Sequence, residues 1–258
     1  MYPVKVDREN ADSKRCRRFS LPKRQNGGGD LTPTVISLVN QKGGVAKTTS
    51  CVNIGAALAK EGKRVLLVDT DPQASLSIAL GNHQPDRLPV TVADLMSKVM
   101  NDVLIKPGEG ILHHPEGMDL LPSSIALAGT EVSLVNAMSR ETILKQYLES
   151  VRKDYDFILL DCPPSLGIMT TNALIIADRM VVPMRADLPS YYGLKMMVAF
   201  VESLSDINKG LKINDIFFTF YNPQLRLTRS SEAQIREEFT DAVMNSTVRL
   251  NVKVSEAY

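Results

Sequence analysis

The chain has 258 residues, of which 44% are hydrophobic, enough for one large α/β domain or two small ones with a real core. A net charge of +1 excludes a protein coated in positive potential, so any nucleic-acid contact must come from local patches. No apolar run approaches the roughly 20 residues needed to span a bilayer. Three scattered cysteines, Cys16, Cys51 and Cys162, suggest neither a disulfide framework nor a zinc site.

Residues 1–31 read as a flexible arm, with few apolar residues, the run SKRCRRFSLPKR and the ending NGGGD. Residues 1–30 carry a balance of +4, which leaves −3 for the remainder. The arm is either a plain solvated tail or an electrostatic arm for nucleic acid. It has no apolar segment of a secretion signal, and its acids, Asp7, Glu9, Asp12 and Asp30, are unusual in a transit peptide, so a cytoplasmic protein is expected.

From residue 32 to 258 the pattern is a single domain of short apolar runs alternating with helical stretches. VISLVN (35–40) precedes a small-residue helix, TTSCVNIGAALAKEG; RVLLVDTD (64–71) follows, then a helix at TVADLMSKVM and a short strand near MDLLPSS. The adjacent His113 and His114 lie between these segments, and neighbours on an extended chain point to opposite faces, against joint metal binding. Ile143, Leu144, Tyr147, Leu148 and Val151 fall at helical spacing. FILLDCPP (157–164), RMVVPMRA (179–186) and INDIFFTFYN (213–222) are further strands, the last of them being the last clear one. Leu194, Met197, Val198, Val201 and Leu204 mark a helix before that final strand, its methionines serving as core filler. The expected fold is therefore a mostly parallel twisted sheet with helices on both faces, with ligands bound after 40, 71, 161 and 222.

NQKGGVAKTTS (40–50) lies in the first of those positions but does not match the usual phosphate-loop spelling, because Gln41 and Ala46 stand where glycines are expected. Backbone N–H groups of Gly43, Gly44, Val45, Ala46 and Lys47 could curl round a phosphate at a helix N-terminus, with the Lys47 ammonium reaching the outer phosphates. Thr48 is placed to bind magnesium through its hydroxyl. A glycine–lysine turn without a ligand is the plainer alternative for the loop alone. VDTDPQAS carries Asp69 and Asp71 at the close of the second strand, and ILLDCPPS carries Asp161 at the close of another. Each alone could be a helix cap or turn residue; together at strand ends they suit a phosphate-bound magnesium and the orientation of an attacking water.

From about Val35 onward the sequence resembles the ParA/Soj partition ATPases, within the deviant Walker A group of P-loop NTPases that includes MinD-like proteins and the nitrogenase iron protein. NQKGGVAKTT, RVLLVDTDPQAS, LLPSS, DFILLDCPPSLG and KVSEA carry the resemblance in the family's order. The resemblance implies ATP and Mg2+ as ligands, an ATP-bound homodimer, nonspecific DNA binding, nucleoid association and a ParB-like centromere-binding partner. It implies that Lys42 reaches the nucleotide of the partner subunit, and that Lys47, Thr48 and Thr49 serve phosphate and magnesium. Asp71 matches the switch aspartate, Asp161 the Walker B aspartate, Asn222 lies near the adenine contact, and Arg229 and Lys253 fall where the family touches DNA.

Three departures stand out. Ala46 replaces a glycine, a mild change if the position is helical and a costly one if the loop needs glycine's dihedrals. The family's Pro-Arg is altered around Val248, Arg249 and Leu250, and the chain stops at Tyr258 where relatives continue, so a domain shortened at its C-terminus is expected. Competing classes are a MinD-like membrane-positioning ATPase, for which MNSTVRLNVKVSEAY supplies no convincing anchor, and a nucleotide-impaired regulatory relative. A redox ATPase like the iron protein would need cluster cysteines, and no recognisable pair is present.

Overall fold

The computed structural model describes residues 33–249. The basic arm, Lys253 and the end of the chain lie outside the described residues. The strands are β1 (Thr34–Leu38), β2 (Val65–Asp69), β3 (Leu112–His113), β4 (Asp119–Leu121), β5 (Phe157–Asp161), β6 (Arg179–Met184), β7 (Ile213–Phe218) and β8 (Val243–Thr247). They form one sheet in the order β3-β4-β2-β5-β1-β6-β7-β8, in which only the β3–β4 pair is antiparallel.

The helices are α1 (Lys47–Lys60), α2 (Ser75–Ala79), α3 (Val92–Met100), α4 (Ala126–Leu134), α5 (Ile143–Val151), α6 (Ile168–Ile176), α7 (Leu188–Ser203) and α8 (Arg226–Glu238). Alternation along the strands sends side chains to opposite faces. Val35, Leu66, Val68, Ile158 and Leu160 join one apolar layer with α3 to α8, while Ile36, Leu38, Val65, Leu67 and Leu159 join the other with α1 and α2. This is the expected two-sided parallel architecture. α1 lies so close to β2 that a Cβ on Gly55 would meet Leu67 Cδ2 at 2.7 Å, so a larger residue there would force the Leu67 side chain to move.

Several elements were not in the sequence reading, among them α4, α6, α8 and β8. The region after 222 contains another strand, β8, paired in parallel with β7 through an irregular register. The segment IMTTNALII is α6, buried from Met169 to Ile176 and lacking an exposed polar stripe. Its C-terminal carbonyls are satisfied by Asn208 Nδ2, 3.0 Å from both Leu174 O and Ala177 O. The Ser37 hydroxyl ties it to β1 by donating to Ala173 O at 2.9 Å.

The chain leaves β1 for β2 across β5, and leaves β5 for β6 across β1. Connections thus diverge at β1, which opens a crevice at the carboxyl ends of the central strands.

Candidate functional site

The crevice is floored by the loop from Val39 to Ala46. Asn40, nearly fully buried, donates from Nδ2 to Pro183 O at 2.8 Å and accepts the Lys42 N–H at 2.8 Å, clamping the loop to β6. The Thr219 hydroxyl, at the end of β7, lies 3.1 Å from Val45 O and 3.2 Å from Met184 O. Gly44 adopts φ +66° and Ala46 φ 62°, ψ 34°, with the α-helix starting only at Lys47. Left-handed turns of this kind point successive N–H groups into a concavity that suits an anion. Of the two alternatives for Ala46 the structure selects the second: alanine occupies a glycine-type conformation, one that costs an L-residue about 1–2 kcal/mol.

Lys47 is buried, and Nζ lies 3.4 Å from Lys42 O of its own loop. Loss of solvent lowers its pKa, against the opposing pull of Asp161. Thr48, one residue on, donates from Oγ1 to Asp161 Oδ2 at 2.6 Å. Asp161 Oδ1 is buried with no hydrogen-bond partner. Burial, then the neighbouring charge of Asp69, pushes the Asp161 carboxyl up to about 8. Asp69 and Asp161 face each other in register across β2 and β5. A buried pair of carboxylates with one oxygen left over fits a divalent cation, whose charge would offset the desolvation that raises both.

Asp69 accepts the Ser77 N–H at 2.8 Å and its hydroxyl at 2.7 Å, fixing α2, and accepts the Asp71 N–H at 3.2 Å. Burial raises its carboxyl despite the Ser77 bonds. Asp71 is not the last residue of β2, as the sequence suggested. The strand stops at Asp69, and Asp71 opens a turn in which Gln73 N donates to its Oδ1 at 2.9 Å and Ala74 is left-handed. A half-exposed carboxylate on a turn can orient a water; one locked in a ladder cannot move toward it.

Lys42 points back into its own subunit. Nζ sits 2.9 and 3.2 Å from the two oxygens of Asp187 and 3.4 Å from Ser190 Oγ. Asp187 is the N-cap of α7, accepting Ser190 N at 2.9 Å, and Arg185 Nε lies 3.6 Å from it. Sequence reasoning missed Asp187, although Asp followed by Leu-Pro after an apolar strand is a helix-start signal. Thr49 lies in the first turn of α1.

The remaining residues are not at this crevice floor. Asn222 is exposed in the turn after β7, where its Oδ1 accepts the Gln224 N–H at 3.0 Å. Arg229 is exposed on α8.

A protein-family model described as an AAA domain matches residues 33–213. The chain is 41% identical over 223 residues to the chromosome-partitioning ATPase Soj of Treponema pallidum, covering 85% of this chain and 84% of that protein. It is 37% identical over 228 residues to the sporulation initiation inhibitor protein Soj of Bacillus subtilis, at 86% and 87% coverage. Among solved structures, a Mycobacterium smegmatis protein described as cobyrinic acid a,c-diamide synthase, with bound ATP analog and magnesium, is 37% identical. It superposes with TM-score 0.73 over 80% of this chain and 82% of that one. A Borrelia burgdorferi plasmid partition protein bound to AMPPNP, 23% identical with TM-score 0.72 over 88% and 91%, shares the fold. With its variant phosphate loop, its strand-end carboxylates and these relatives, the chain belongs to the ParA/Soj family of P-loop ATPases.

Proposed function

We propose that the chain is an ATP-driven DNA-partition switch. The observation that carries this reading is the Thr48–Asp161 contact beneath the loop, with Asp161 Oδ1 buried and unpartnered. The N–H groups of Gly43 to Lys47 cradle the phosphates, and Lys47 Nζ exchanges its weak contact with Lys42 O for phosphate oxygens. Thr48 and Asp161 hold magnesium, with Thr49 contributing at the same helix start. Magnesium, when bound, neutralises charge that develops on the phosphates. Asp71 orients the attacking water, and the lack of a strong general base makes turnover slow.

In the nucleotide-bound form Lys42 leaves Asp187 and reaches the nucleotide of a second subunit, so that two subunits close over two nucleotides. Asn222 lies on the base side. The dimer holds DNA nonspecifically through basic residues including Arg229 and Lys253, and a ParB-like centromere-binding protein stimulates the hydrolysis that releases it. The protein then works in the cytoplasm, on the nucleoid. Among the described residues, no helix is long and apolar enough to cross a membrane. The strained Ala46 supports one second reading, a nucleotide-impaired DNA-binding relative. Measuring Mg-ATP affinity and hydrolysis with Lys47→Ala as control separates the two: micromolar binding lost in the variant supports the switch, and equal weak binding in both supports the impaired relative.

A further inference from the structure

A cavity of about 410 Å³ opens at the amino ends of the strands, the opposite end of the sheet from the nucleotide crevice. Its polar lining is Arg64, His113, Asp119, Asp154 and Tyr155, and Gly108 and Gly117, both at positive φ, hold no side chain in it. Asp119 organises the lining: Oδ1 lies 2.6 Å from His113 Nδ1, and Oδ2 accepts the hydroxyl of the buried Tyr155 at 2.8 Å. A carboxylate only accepts, so the neutral His113 ring carries its proton on Nδ1 and keeps Nε2 as an acceptor. The Tyr155 oxygen, having given its hydrogen to Asp119, likewise keeps its lone pairs. Asp154 is exposed and forms no ion pair among the described residues. Arg64 is the one cation of the lining, and its guanidinium is already engaged, 3.2 Å from Asp156 Oδ1 and 3.5 Å from Lys153 O. Acceptors therefore outnumber free donors. Such a cavity suits a donor-rich cation, above all a guanidinium with its fork of N–H groups.

The chain itself carries a source of that cation at the same end of the sheet. Residues 1–30 hold eight Lys or Arg against four acids, and in SKRCRRFSLPKR six of twelve residues are basic and none is acidic. This segment joins the sheet at Thr34, whose N–H donates to Asp156 O at 3.0 Å, on the residue that pairs with Arg64. Thr34 and Val65, a further residue of the cavity wall, both stand opposite Phe157 in the ladders of β5. They are thus two strand spacings apart, about 10 Å. The glycines of NGGGD separate the basic run from Thr34, enough chain to cover that span several times over.

We infer that this cavity is the docking site of the chain's own basic arm, taking an arginine of the run SKRCRRFSLPKR against Asp154 and the Asp119 cluster. The arm is then neither a plain solvated tail nor committed to nucleic acid: its charge is held by the domain, at the end remote from the nucleotide. Tethering makes a weak exposed ion pair sufficient, because the arginine is always close at hand.

Cys51 and Cys162 are buried, which directs a nitroxide maleimide to Cys16, inside the basic run of the full chain. In nitrogen-15 spectra the label is expected to broaden the amide signals of Asp154, Tyr155 and Gly117, and reduction of the nitroxide restores them. Asp154→Lys, at an exposed position, is expected to abolish the broadening, while Asp154→Glu retains it and shows that charge and not folding is being read. The triple variant Arg15→Gln, Arg17→Gln, Arg18→Gln should lose it from the other side, and added salt should weaken it. Sharp cavity signals in the labelled wild type, or broadening that persists in both Asp154→Lys and the triple variant, overturns the docking. A label that is slowed only when duplex DNA is added, with the cavity signals sharp throughout, also overturns it and makes the segment a nucleic-acid arm.

Discussion

Replacing Ala46 by glycine should stabilise the protein, although the same exchange within a helix destabilises it. At φ 62°, ψ 34° the alanine Cβ is crowded against the following carbonyl, at a cost of about 1–2 kcal/mol that glycine does not carry. Glycine's greater freedom in the unfolded chain offsets about 0.4–1 kcal/mol of this. The net gain is about 0.5–1 kcal/mol. For a domain of this size, that corresponds to a rise in Tm of about 1–4 °C. Ala57, exposed in the last turn of α1, is the control: Ala57→Gly should lose up to about 1 kcal/mol and lower Tm. Thermal unfolding of the two variants without nucleotide, followed by circular dichroism, reads the sign directly. If Ala46→Gly lowers Tm as Ala57→Gly does, the left-handed assignment at the head of α1 is wrong.

Other outcomes follow from the charges. Asp161 is raised in the folded state, so the fold binds its proton more tightly than the unfolded chain does; its contribution is most favourable at low pH and falls as pH rises from about 4 through about 8. Asp161→Asn should therefore raise the Tm of the metal-free protein more at pH 8 than at pH 5, while abolishing any stabilisation by Mg-ATP; an equal gain at both pH values would contradict the assigned burial and charge. Asp187→Asn should release Lys42 and tighten ATP-dependent dimerisation by about two- to fivefold, the scale of a half-exposed ion pair, as read by light scattering across a dilution series; weaker dimerisation would make the pair a structural support. Arg229→Ala should reduce the slope of log affinity against log salt for DNA by about 0.9, whatever the DNA sequence; an unchanged slope removes Arg229 from the interface.

The parts of the fold legible in the sequence were those where one periodicity dominated. β2 and β5 are apolar runs buried on both faces, and α5 shows its buried stripe plainly. α6 hid because eight successive buried residues, Met169 to Ile176, leave no exposed polar face to mark a helix. β8 hid for the opposite reason: Asn245 and Ser246 are exposed on an edge strand with little apolar pattern. α8 buries only Ile235 and reads as polar chain. At the site, residue types and spacing located Lys47, Thr48 and Asp161, because strand ends converge wherever a parallel sheet changes direction. The conformation of Ala46 was not legible, since helix propensity and loop geometry make opposite demands on one residue. Nor was the direction of Lys42, which depends on an acid far along the chain that only the β1–β6 pairing brings close.

The central claim is that nucleotide state controls assembly on DNA. The most direct test is retention of the protein on a nonspecific DNA duplex, with mass measured in the same buffer, in Mg-ATP and in Mg-ADP. The switch predicts a dimer retained on DNA with ATP, a released monomer with ADP, and no ATP effect in Lys47→Ala. Equal mass and equal retention in the two nucleotides would contradict it.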